Sequence, residues 1–290
     1  MSILCLIANP NEPRFDVKLA AAIARETGGE LDWLHHGIAC DIANPSEPDP
    51  AAIAREMLGS APVDVAVIAN ASRRKKLLIA DMDSTMIEQE CIDELADAVG
   101  IKAQIAAITE RAMRGELDFE AALDTRVRLL KGLSRKAIEE VRREKITMMP
   151  GGRALVQTMK AYGAYTALIS GGFTYFADFF AKRIGFDEAT ANTLEFDGDI
   201  LTGTVTKPIV DKSTKLHRLL ALSKERSLWP DETLAVGDGA NDLDMLQAAG
   251  LGVAYRAKPA LAAAAKARIE YGDLTALLYL QGYRDDEIVR

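Results

Sequence analysis

Apolar and polar positions follow two successive rhythms along this chain. In residues 1–70, short apolar runs at residues 3–8, 31–36 and 63–69 predict strands, and amphipathic stretches at residues 15–26 and 51–58 predict helices. Together they describe a small α+β module over residues 1–72, with the proline-rich stretch from Asn44 to Pro50 as a loop inside it. The basic run Arg73-Arg74-Lys75-Lys76 that follows reads as solvated linker. From Leu77 onward the order becomes strand, loop, helix, repeated, with apolar strands expected at residues 77–80, 165–169 and 233–236. That alternation predicts an α/β fold, a doubly wound, Rossmann-like parallel sheet covered by helices on both faces.

Between residues 88 and 149 the pattern is helical, with candidate helices at 93–99, 102–114, 119–130 and 135–143. Helices inserted after the first core strand form either a lid over the sheet's binding edge or an ordinary extra subdomain, and helicity alone leaves both open. The chain thus divides into the N-terminal module, a core made of residues 73–87 and 150–290, and a helical cap at 88–149. Asp197-Gly198-Asp199 signals a hairpin, antiparallel decoration beyond the main sheet. Residues 260–267 are alanine-rich and expected to be helical. The N-terminal strand and helix order is compatible with the ferredoxin-like modules that bind amino acids in biosynthetic enzymes.

Composition narrows the function classes. The 290 residues, 49% of them hydrophobic, suffice for one large and one smaller buried core and exclude a disordered chain. A formal charge of −8 and a pI near 5.1 give no basic footprint for nucleic acid or an anionic membrane, so an anionic substrate must be held by local cations. Cys5, Cys40 and Cys91 are scattered without a CxxC spacing, which fits a reducing compartment. His35, His36 and His217 form no metal-ligand pattern. The first apolar run has no basic segment before it and leads into Asn9-Pro10-Asn11, so it is expected to be a strand and not a signal peptide. No apolar stretch approaches the roughly 20 residues needed to span a bilayer. A soluble, cytoplasmic protein is expected.

Each of the three apolar core strands runs into a polar or glycine-rich group, and in a parallel sheet such groups converge at the carboxyl edge. Asp81-Met82-Asp83-Ser84-Thr85 places two carboxylates two residues apart, on one side of an extended chain. Close carboxylates repel unless a cation lies between them or one holds a proton, and a hard divalent ion such as magnesium answers the first need. On its own, such a pair also describes a turn or a cap. Gly237-Asp238-Gly239-Ala240-Asn241-Asp242 adds two further carboxylates among glycines that allow close backbone approach, or else a strand-to-helix turn with Asn241 or Asp242 as N-cap. Ser170-Gly171-Gly172 offers a hydroxyl and successive amides, expected at a helix start and suited to an anion. Lys212 and Lys215, ahead of the third strand, are both candidate phosphate-binding cations.

Taken together, these groups resemble the four motifs of the haloacid dehalogenase superfamily and, within it, its phosphoserine phosphatases. The likeness covers roughly residues 77 to 275 and reaches into the cap, at Glu90, Met113, Phe119 and Arg126. The resemblance implies that Asp81 is a nucleophile forming an aspartyl-phosphate and that Asp83 is the acid and base. It implies magnesium bound by Asp81, Asp238 and the Asp83 backbone carbonyl, with Asp242 supporting them. It further implies that Ser170, Gly171, Asn241 and Lys215 hold the phosphate, Lys215 being selected over Lys212 by its distance from Asp238. In the cap, Arg126 would meet the carboxylate of O-phosphoserine and Glu90 its ammonium, shielded by Met113 and Phe119. The implied reaction is the last step of serine biosynthesis. Serine feedback at the N-terminal module and a homo-oligomer are left open. A phosphatase or phosphotransferase for another small metabolite, and a non-catalytic amino-acid sensor, are the rival readings.

Overall fold

The first strand shows how one alternation serves two cores. The computed structural model of the chain describes residues 2–11, 15–114 and 116–290, the side chain of Met113 excepted. Strands β1 (Ser2–Ala8), β2 (Glu30–His35), β3 (Ala39–Ala43) and β4 (Val63–Ala69) form an antiparallel sheet in the order β2-β3-β1-β4. Helices α1 (Val17–Thr27) and α2 (Pro50–Leu58) connect them in the β-α-β-β-α-β order of ferredoxin-like modules. Leu4, Leu6 and Ala8 point to one face and pack with Ala20 and Ile23 of α1 and Ala54 and Leu58 of α2. Ile3, Cys5 and Ile7, the alternate positions, point to the other face and join the core of the remaining chain. Sealing each Leu or Ile in this way stabilises by roughly 1.5–3 kcal/mol, and β1 has no face left for water. Strand β3 was not anticipated, because the short run after Gly37 is brief enough to read as loop.

The second sheet carries six parallel strands in the order β12-β11-β10-β5-β6-β7. They are β5 (Leu77–Ala80), β6 (Tyr165–Phe173), β7 (Glu188–Asn192), β10 (Thr233–Gly237), β11 (Leu251–Tyr255) and β12 (Ala267–Ile269). Strands β8 (Leu194–Asp197) and β9 (Ile200–Val205) form a separate hairpin. Helices α7 (Gly152–Ala161), α8 (Thr174–Ile184) and α12 (Ala276–Leu280) supply Leu155, Phe176 and Leu277 to one side of the sheet. Helices α9 (Lys212–Glu225), α10 (Leu243–Ala248) and α11 (Pro259–Ala264) supply Leu219, Leu246 and Leu261 to the other. The cap helices α3 (Cys91–Asp97), α4 (Lys102–Met113), α5 (Phe119–Leu129) and α6 (Arg135–Glu144) are inserted between β5 and α7. None of the described helices is long and apolar enough to cross a membrane.

Three expectations need correction. The alanine-rich helix stops at Ala264, and Ala267 instead begins the edge strand β12, paired with Val253. Helix propensity there yields to the free edge of β11. The hairpin does more than decorate: the amide of Gly132 donates to Leu201 and that of Leu201 donates to Leu133, fastening the hairpin to the cap. The basic run 73–76 is no solvated linker. Arg73 forks onto Asp41 of the N-terminal module at 2.5 and 2.8 Å and donates to the carbonyls of Leu280 and Tyr279. Lys75 is buried and donates to the Ser72 and Asp231 carbonyls, while Arg74 stacks over the Tyr283 ring.

A second strut crosses the same junction. The buried Asp64 on β4 accepts from the backbone amides of Glu270, Tyr271 and Gly272, just past β12. Because Asp41 is sealed under Arg73, the Arg73→Met protein should lose about 3–5 kcal/mol of stability, the cost of stranding one member of a buried ion pair. Denaturant titration reads this directly, and a change below about 0.5 kcal/mol would mean that the run behaves as ordinary surface.

Candidate active site

The chain proceeds from β5 to β6 and β7 in one direction, then returns to β10, β11 and β12 on the other side of β5. Strand order therefore reverses at β5, where a doubly wound sheet opens a crevice at its carboxyl edge. The three motif-bearing strands are the neighbours β10, β5 and β6, so their ends meet there. The amide of Asp81 still donates to Val236, continuing the ladder one residue past β5 and fixing where the carboxylate emerges.

Asp81, Asp238 and Asp242 are buried, and their carboxylate oxygens gather within 4.8 Å of one another. Lys215, at the start of α9 and also fully buried, lies 2.6 Å from Asp242 Oδ1 and 2.7 Å from Asp81 Oδ1. The contact to Asp242 is a hydrogen bond. The one to Asp81 is a buried ion pair. Lys212 is exposed and 4.0 Å from Asp244, so it does not enter the site. Gly237 makes this packing feasible, since a Cβ there would fall 2.3 Å from Asp242 Cγ.

Burial, and then Asp242, push Asp81 up to about 7, although Lys215 opposes the shift. Burial also pushes Asp238 well above the ordinary carboxylate range. Three buried carboxylates outnumber the one ammonium, which pairs with only two of them, and this leaves negative charge uncompensated. This all-oxygen donor set fits a hard divalent cation.

Asp83 is held differently. Its Oδ1 accepts the Cys91 amide at 2.7 Å and its Oδ2 accepts the Ser170 hydroxyl at 3.1 Å. Burial raises its pKa, while those two donors restrain the rise. Ser170-Gly171-Gly172 is not at a helix start: it lies on the last residues of β6, where pairing with β7 slips, and α8 begins only at Thr174. Ser170 Oγ accepts the Gly172 amide at 2.8 Å.

One pocket joins the two carboxylates of the β5 loop to the cap. Its walls include Asp81, Asp83, Glu90, Phe119, Arg126, Ser170, Gly171 and Asn241. Phe119 reaches across so closely that a Cβ on Gly171 would stand 2.7 Å from its ring, so the cap is seated on the end of β6. The side-chain oxygen of Asn241 is buried without a hydrogen-bond partner. Glu90 accepts the Ser84 hydroxyl at 2.6 Å, and Ser84 adopts a left-handed φ of 54° to offer it. Part of the Glu90 surface opens on the pocket, but protein surrounds the carboxyl closely, and that enclosure, then Asp83, pushes it up to about 8. Arg126 is buried on α5. The side chain of Met113 lies outside the described residues.

Sequence reasoning missed Thr109, which holds Arg126, and Asp93, which holds Thr109; neither carries a motif, and Ser84 was given no role. Only the helical spacing of 105, 109 and 112 hinted that Thr109 shares the inward face of α4.

Residues 78–247 match the family model of the haloacid dehalogenase-like hydrolases. The chain is 42% identical to the phosphoserine phosphatase of Streptomyces coelicolor over 99% of its own length and 72% of that protein. It is 45% identical to the phosphoserine phosphatase of Haemophilus influenzae over 72% of its length and 66% of that protein. The chain thus spans about two thirds of these relatives. A haloacid dehalogenase family hydrolase of Salmonella enterica serovar Typhi superposes with a TM-score of 0.83 at 31% identity, over 98% of this chain and 99% of that one.

Proposed function

Because this chain belongs to the haloacid dehalogenase-like hydrolases, we propose that it is a magnesium-dependent phosphatase that hydrolyses O-phosphoserine to serine and phosphate, the last step of serine biosynthesis. One observation carries the reading: Glu90 and Arg126, a carboxyl and a guanidinium from the cap, face the same pocket as Asp81 and Asp83. A carboxylate and an ammonium flanking a phosphate ester are the complement of that arrangement. The buried, unpaired cysteines support a cytoplasmic, reducing setting.

Asp81 attacks phosphorus, the bond from phosphorus to the serine oxygen breaks, and Asp83 delivers a proton to that oxygen. Water then attacks the aspartyl-phosphate as Asp83 takes its proton, and the bond to Asp81 breaks to return the free carboxylate. Enclosure of Asp83 suits this double duty, because it lets the carboxyl hold a proton where an exposed one would not. Ser170, the Gly171 amide, Asn241 and Lys215 hold the phosphate oxygens, with Lys215 also opposing protonation of Asp81. Asp81, Asp238 and the Asp83 carbonyl would hold magnesium, with Asp242 supporting them. When bound, that ion supplies positive charge against the phosphate. Phe119 closes the pocket over the amino acid.

Two charge-assisted contacts, at about 1.5–3 kcal/mol each, should favour phosphoserine over a sugar phosphate by at least about a hundredfold in kcat/KM. Turnover of phosphoserine and glucose 6-phosphate, with magnesium and after chelation, tests this. Chelation should remove activity and added magnesium should restore it. A sugar phosphate hydrolysed better than phosphoserine would sink the substrate assignment, and full activity in a chelator would sink the metal.

A further inference from the structure

Arg126 is buried, yet its hydrogen bonds within the protein go to neutral oxygens. Its Nε donates to the Ala122 carbonyl at 3.1 Å, one helical turn back, and its Nη1 donates to Thr109 Oγ1 at 3.1 Å. A guanidinium has five N–H donors, so most of the fork is left for a ligand. Thr109 belongs to a different helix, α4, and is itself buried. Its single hydroxyl proton has two acceptors in range, Asp93 Oδ1 at 2.8 Å and the Ile105 carbonyl at 3.1 Å. The carboxylate is nearer and charged, so it takes the proton. The lone pairs of Oγ1 are thereby turned towards Arg126.

We infer that Thr109, oriented by Asp93, is a positioning residue that fixes the Arg126 guanidinium in the cap, so that its remaining N–H donors meet the substrate carboxylate. This rests on the substrate reading proposed above. Asp93, at the start of α3, Thr109 on α4 and Arg126 on α5 are joined in one chain of hydrogen bonds across three cap helices. A long arginine side chain left to its own rotamers loses that freedom only on binding; a hydroxyl that holds one Nη removes the loss beforehand. Ser84 does for Glu90 what Thr109 does for Arg126, from the core side of the pocket.

The test compares Thr109→Val with wild type on O-phosphoserine and on O-phosphoethanolamine, which keeps the phosphate and ammonium but lacks the carboxylate. Valine preserves the shape and removes the hydroxyl. The expected result is that the preference for phosphoserine, taken as the ratio of kcat/KM values, falls about tenfold, chiefly through KM, and that Thr109→Ser restores it. Equal losses on both substrates, or an unchanged ratio in a variant that unfolds like wild type, would overturn the inference alone. A wild type with no preference between the two compounds would instead sink the substrate reading, and the inference with it. Should Thr109→Val fold poorly, Asp93→Asn is measured in its place, with the same ratio expected to fall.

Discussion

Asp81→Asn should lose turnover by on the order of 10⁴-fold or more, because it removes the atom that carries the phosphoryl group. Brief acid quenching of the wild-type reaction should trap phosphate on the protein; the variant should trap none. Asp83→Asn should look different. It should lose about 10²–10⁴-fold on phosphoserine, while with p-nitrophenyl phosphate, whose leaving group needs no proton, the first release of nitrophenol should be spared and only hydrolysis of the aspartyl-phosphate slowed. If Asp81→Asn retained wild-type turnover with saturating magnesium, phosphoryl transfer to this residue would be wrong. The two carboxylates are two residues apart, so the contrast also tests whether their environments assign them separate tasks. Asp81 faces Lys215 and the acidic cluster, whereas Asp83 faces the Cys91 amide and the Ser170 hydroxyl.

Lys215→Met should be nearly as damaging, and for two separable reasons. Loss of a cation from the phosphate site costs roughly 10²–10³-fold in kcat. In the metal-free protein it also strands Asp81 and Asp242, both buried against it, at a cost of about 3–5 kcal/mol. The sign of the pH dependence follows from the direction of the Asp81 shift. Its folded pKa is already raised to about 7 with the lysine present, and without the lysine it must rise further. A carboxyl with a raised folded pKa makes the native state bind more protons than the unfolded chain, so stability increases as pH falls towards the ordinary carboxylate range. Metal-free Lys215→Met should therefore be most fragile at alkaline pH and recover on acidification to pH 6. Thermal unfolding between pH 6 and pH 8.5 measures it, and a variant equally stable at both ends would contradict the account.

The parts of the site that were legible from sequence are those whose chemistry is written locally. Asp81 and Asp83 follow an apolar tetrad, and Asp238 and Asp242 sit among glycines, so both groups announce strand ends without help from distant residues. The family spacing from Asp238 already favoured Lys215 over Lys212, and the fold supplies the physical reason: both lie on α9 and the rotation of that helix buries only Lys215. Ser170-Gly171-Gly172 looked like a helix start because glycines favour turns; the pairing of Phe173 with Asn192 keeps the segment extended. Arg73 looked like linker because its partners are Asp41 and the carbonyls of residues 279 and 280, more than 200 residues further along the chain. Thr109 was invisible for the same reason: a threonine inside a helix has no signature until the acid and the arginine that share its hydroxyl are brought beside it.

The hairpin β8–β9 has a consequence for anyone who would transplant specificity within this family. Its backbone is hydrogen-bonded to Gly132 and Leu133, between α5 and α6, and Lys207, just past it, pairs with Glu120 and Asp124 on α5. The helix that bears Arg126 is thus braced by a segment more than 60 residues away, outside the inserted stretch. A chimera that exchanged only residues 88–149 would sever this scaffold, and its arginine would arrive without a footing. On the proposed reading, substrate choice is carried by the cap together with its hairpin, two pieces of sequence that an exchange would have to move as one.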